Sequence, residues 1–169
     1  MTDPAASNQP PWERQFRATL PLFGHRNWIV VADSAYPAQT RPGIETIAAD
    51  ADHIHVLRTV LNAINASRHL RAGVFTDKEL AFVPANDAPG VVEYRRQLDA
   101  VLYGARVSQL PHEQIIHKLD QSAQLFRILI LKTAMTIPYT SVFFELDCGY
   151  WNSGAEQRLR QAILVAESA

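Results

Sequence analysis

The 169-residue sequence contains a single cysteine, Cys148. One cysteine excludes an intrachain disulfide and a thiolate zinc cluster, and fits a cytoplasmic chain. Cys148 stands in Glu145-Leu146-Asp147-Cys148, where adjacent carboxylates oppose thiolate formation, so it reads as structural. The seven glycines include no Gly-x-Gly-x-x-Gly and no phosphate-cradling loop, and Gly-x-Ser-x-Gly and His-Glu-x-x-His are also missing. There is no basic excess: the formal net charge is -1, which argues against a nucleic-acid partner. No apolar run approaches the roughly 18 residues needed to span a bilayer. Residues 1–11 lack the basic-then-apolar layout of a signal peptide. That polar, proline-containing stretch reads as a disordered lead-in to one domain over residues 12–169.

What is present is an ordinary globular composition, 47% apolar and 20% charged. Trp12, Phe16, Leu20 and Phe23 recur at helical spacing up to Gly24. Trp28–Ala32 is a continuous apolar run, the pattern of a strand buried on both faces. A short strand is expected at Ile44–Ala48, and a helix capped by Asp50 or Asp52 runs to about Ser67. Residues 71–76 read as a strand, 91–103 as a helix ended by Gly104, and Pro111 opens a further helix. Strands over 126–131 and 140–146 and a helix over 155–166 complete the chain. Strands alternating with helices predict a single α/β domain with a largely parallel central sheet and helices on both faces.

Histidines offer little metal-binding geometry. His53 and His55 are two apart on a predicted helix and do not share a face, so they read as solvated surface residues. His112 and His117 are five apart and lie on different faces of theirs. No metal site is expected. The polar groups at strand ends remain, since open α/β sheets bind ligands outside the carboxyl ends of their strands. Asp33 ends the first strand, and reads either as a ligand-site carboxylate or as a cap on the backbone of residues 34–36. His25 stands at the start of that strand, about two dozen ångströms from Asp33 if the chain is straight. Sharing one pocket would require the Gly24 turn to fold back, or a pocket between subunits.

Three blocks together resemble the ribose pyranase and fucose mutarotase (RbsD/FucU-like) family. The first is Gly24-His25, the apolar strand and Asp33-Ser34-Ala35-Tyr36-Pro37-Ala38. The second is His112-Glu113-Gln114. The third is the strand over 126–131 followed by Pro138-Tyr139-Thr140-Ser141-Val142-Phe143-Phe144. Their order and spacing agree across roughly residues 16–147. The resemblance implies a cofactor-free interconversion of anomers or ring forms of a fucose-like or ribose-like monosaccharide. It makes His25 the acid/base, with Asp33 orienting it or holding a sugar hydroxyl, and Tyr139 holding a hydroxyl or assisting proton transfer. His112, Ser141, Tyr36 and Lys132 fall at substrate-binding positions. It also implies a ring-shaped homo-oligomer with sites between subunits. Ser141 stands where the family has asparagine, and Lys132-Thr133 where it has glycine-glutamate. A non-catalytic monosaccharide-binding module using the same pocket is the second reading. A metal-dependent hydrolase built from His25, Asp33 and His112 is a third, disfavoured by ligand spacing.

Overall fold

Trp28–Ala32 forms strand β1 with all five side chains buried. A run without polar residues survives there because sheet flanks it on both edges and helices cover both faces. The computed structural model describes residues 9–168. Residues 1–8 of the expected lead-in lie outside the described residues, and Pro11 already opens helix α1 (Pro11–Thr19). Proline at that position costs no helical hydrogen bond.

The elements that follow are β2 (Ile44–Ala48), α2 (His53–Ala66), β3 (Leu70–Asp77), α3 (Val91–Val101), β4 (Val107–Leu110), α4 (His112–Ser122), β5 (Ile128–Lys132), β6 (Val142–Cys148) and α5 (Ser153–Glu167). They build one six-stranded sheet in the order β2-β5-β1-β6-β3-β4. β5 runs parallel to β1 and β2, and β4 runs parallel to β3. β6 alone is antiparallel, inserted between β1 and β3. The carboxyl ends of the other strands therefore gather at one end of the sheet, where β6 begins.

Alternation along β1 divides the core. Ile29 and Val31 pack with Trp12 and Phe16 of α1, Leu57 and Val60 of α2, and Val91 and Leu98 of α3. Trp28 and Val30 face the other way, against Ile115 and Leu119 of α4. The indole Nε1–H of Trp28 donates to Ser122 Oγ at 3.0 Å, and the ring stacks on Phe75. Beyond α4 this second face opens into a cavity over β3, β4 and the end of β6. Helix α5 buries no side chain.

Several expectations shift. The first helix ends at Thr19 and continues as a 3-10 turn, Leu20–Leu22, because Pro21 has no N–H to donate. β4 was not expected: its four residues are largely exposed and pair only with β3, so no apolar alternation marks them. His53 is buried rather than solvated, at 1% exposure. The first turn of α2 presses it against Thr133 Oγ1, 2.9 Å from Nδ1, and against the Tyr94 ring.

Candidate active site

Asp33 and Asp77 extend from the carboxyl ends of β1 and β3, on either side of β6. Val31 and Thr76 both register with Val142, so the two strand ends that carry these residues stand about two strand spacings apart, roughly 10 Å between backbones. Between them lies a crevice of about 600 Å³. Its walls come from residues 33–39, from the start of α4, and from residues 135–139, which lead into β6. Asp33, Asp77 and Glu113 line it, and no lysine or arginine does among the described residues.

His112 is the first residue of α4, and two contacts fix it. Glu79 accepts the His112 backbone N–H on both carboxylate oxygens, at 3.0 and 3.1 Å, placing a negative charge at the helix N-terminus. The ring Nδ1 lies 3.0 Å from Asp77 Oδ1. With the carboxylate accepting, the proton sits on Nδ1 and Nε2 is left as the free basic atom. Asp77 is buried at 1% exposure and its Oδ2 has no partner. Burial pushes its pKa up to about 6, against the opposing pull of His112. Tyr139 packs edge-on against the imidazole, ring centres 5.8 Å apart. Its backbone is left-handed, with φ of 59°, a conformation that costs a non-glycine residue roughly 1 kcal/mol and recurs at functional sites.

Asp33 is both a cap and a wall of the crevice. Oδ1 accepts the Ala35 N–H at 2.9 Å, closing the turn, while the side chain stays half-buried on the crevice wall. The Tyr36 hydroxyl is buried without a partner, and burial, followed by the charges of Asp120, Asp77 and Asp33, pushes its pKa up to about 12. Ser141 and Lys132 do not line the crevice. Ser141 is buried with Oγ accepting from the Asp33 N–H at 3.4 Å. The Lys132 carbonyl closes the turn after β2 by accepting from Ala49.

His25 lies at the opposite end of the sheet. The Gly24 turn does not fold back: Asn27 N–H donates to Gly24 O, and Arg26 N–H donates to Leu146 O, pinning the turn beside the end of β6. There Nδ1 is 2.7 Å from Asp147 Oδ1, and Arg26 Nε–H reaches Nε2 at 3.3 Å. Asp147, not Asp33, orients this imidazole within the chain. Asp147 also accepts from Arg71 Nε at 2.9 Å and from its neighbour Cys148 N–H. Partial burial alone would raise its carboxyl, but these hydrogen bonds hold it below the usual carboxylate range. Two imidazoles are thus held through Nδ1 by a carboxylate, one at each end of the sheet. No group of three or more histidine, cysteine, aspartate or glutamate side chains placed to hold a metal ion occurs among the described residues.

Asp77, Glu79 and Asp147 were missed from sequence. Asp77 carried a signal, since it ends its strand as Asp33 ends β1. Glu79 and Asp147 carried none, because their partners are 33 and 122 residues distant.

The profile of the RbsD / FucU transport protein family matches residues 9–148. The chain belongs to this family. No curated protein matches it in sequence. Among solved structures, Bacillus subtilis RbsD complexed with D-ribose superposes with a TM-score of 0.55 at 16% identity, covering 79% of this chain and 91% of that one. The fucose mutarotase of Streptococcus pneumoniae in complex with L-fucose gives 0.53 at 17%, covering 83% and 96%. FucU from Bifidobacterium longum gives 0.53 at 13%, covering 86% and 98%. These likenesses establish the RbsD/FucU fold for this chain. The family match stops before α5, and no described helix is long and apolar enough to cross a membrane.

Proposed function

We propose that the chain is a sugar mutarotase or pyranase, with a monosaccharide seated in the crevice at the carboxyl end of the sheet. The observation that carries this reading is the His112–Asp77 pair on the wall of a polyol-sized acidic cavity. Opening a cyclic hemiacetal needs a base for the anomeric hydroxyl proton and an acid for the ring oxygen, with the roles exchanged on reclosure. His112 Nε2 is oriented to move one of these protons. The half-buried Asp33 carboxylate is placed to hold a sugar hydroxyl, Tyr36 forms part of the crevice wall, and Tyr139 is placed to close over the ring. His25 supplies the second proton-transfer group from a neighbouring copy. Charge favours that pairing, since the crevice carries carboxylates without cations while the His25 end carries three arginines.

Anomer exchange followed by saturation-transfer NMR, on a panel including D-ribose and L-fucose, tests the reading. Exchange above the uncatalysed rate is expected, falling by about 100-fold or more in His112→Ala and in His25→Ala, the usual range for a lost acid/base group. Binding without acceleration would select the non-catalytic module, and neither binding nor exchange would end the sugar reading.

A further inference from the structure

The second cavity, about 620 Å³ over the open sheet face, is lined by Arg26, Arg71 and Arg106 beside His25. The three guanidinium groups come from separate places in the fold: the turn before β1, strand β3, and the residue before β4. Three arginines elsewhere on the surface are matched one to one with helical carboxylates: Arg17–Glu13, Arg96–Glu93 and Arg160–Glu156. Here only Arg71 is matched, by Asp147. Arg26 and Arg106 form no ion pair among the described residues, and Glu145 is the one other carboxylate on the wall. Positive charge is therefore in excess. The floor is permissive, with Gly73 leaving open space where a side chain would stand and Ser108 offering a hydroxyl.

We propose that this cavity is an oxyanion site, and that it takes the phosphate or carboxylate group of an acidic monosaccharide. Guanidinium groups suit either oxyanion through paired N–H donors. The crevice alone, lined by carboxylates, would repel such a group, so the arginine end is what admits it. The oxyanion site stands on the arginines; only its assignment to a sugar rests on the functional reading above.

Inorganic phosphate titrated into the full chain at low ionic strength, followed by arginine Nε–H resonances, tests the site directly. Saturable shifts at Arg26 and Arg106 are expected. Arg106→Gln should weaken phosphate by about tenfold or more, the loss of a charge-assisted donor, while Arg58→Gln on α2 binds as wild type. No saturable binding, or equal binding by Arg106→Gln, overturns the site; the former is the result if the arginines pair with a neighbour's carboxylates instead. Anomer exchange then compares glucose 6-phosphate with glucose and galacturonate with galactose. A lower KM for one acidic sugar, lost in Arg106→Gln, supports the assignment and tells phosphate from carboxylate; no preference for either overturns it. Phosphate binding without exchange on any sugar removes the functional reading and leaves the oxyanion site. Exchange of neutral sugars without phosphate binding does the reverse.

Discussion

Asp77 is buried against His112 with one oxygen unpaired, and its pKa rises to about 6. The folded state therefore holds this proton more tightly than the unfolded chain. Asp77 adds stability below about pH 4, and that contribution is lost as pH rises through 6. His53 works in the opposite sense. Burial lowers its pKa to about 4, so its unfavourable contribution is largest in acid and disappears as pH rises from about 4 to 6.5. Each is worth up to about 3 kcal/mol, and they largely cancel over the same window. Asp77→Asn should then expose a stability that climbs between pH 4 and 6.5, and His53→Gln one that falls between pH 4 and 6. Urea denaturation at stepped pH reads both; unchanged profiles in the two variants would refute the opposed pair. Asp77 was open to sequence reading as a strand-end carboxylate. The burial of His53 was not, because Thr133 and Tyr94 reach it only through the tertiary fold.

Helix α4 begins where proline allows, and Pro111 made that start legible. What aims the helix is Glu79, from the 3-10 turn Lys78–Phe82 that follows β3. Glu79→Ala leaves the His112 N–H without its acceptor and removes a carboxylate from the helix N-terminus. We expect a loss of about 1 kcal/mol in thermal unfolding, together with a shift of the His112 ring resonances and a higher KM in sugar exchange. A stability loss with unmoved ring resonances would make Glu79 a cap and nothing more. β1 was legible to the residue because its unbroken apolar run reports sheet burial. β4 was silent because an exposed edge strand needs only backbone pairing.

Across the whole molecule, the two oriented imidazoles stand at opposite ends of one sheet. The distance between His25 and Asp33 was readable from the apolar run between them; which partner each group takes was not, because β6 brings Asp147 to His25 only by running antiparallel. If neighbouring copies join these ends, a head-to-tail contact of this kind closes into a ring or continues as a filament. His25→Ala and His112→Ala, each inactive alone, should then regain exchange when unfolded together and refolded as mixed assemblies. Random pairing would give about a quarter of the sites both intact groups. No regain would overturn the shared site and remove His25 from the chemistry of the crevice.

Strand β6 touches both ends, with Tyr139 and Ser141 just before it and Asp147 within it. It is held in ladder on both edges, by β1 and by β3. The strand is in effect a gauge block. Inserting or deleting a pair of residues within it would keep every side chain on its proper face yet carry Asp147 out of reach of His25, or draw Tyr139 away from His112. Mutational drift can recolour either end independently, but the length of Val142–Cys148 can change only if both ends are rebuilt together.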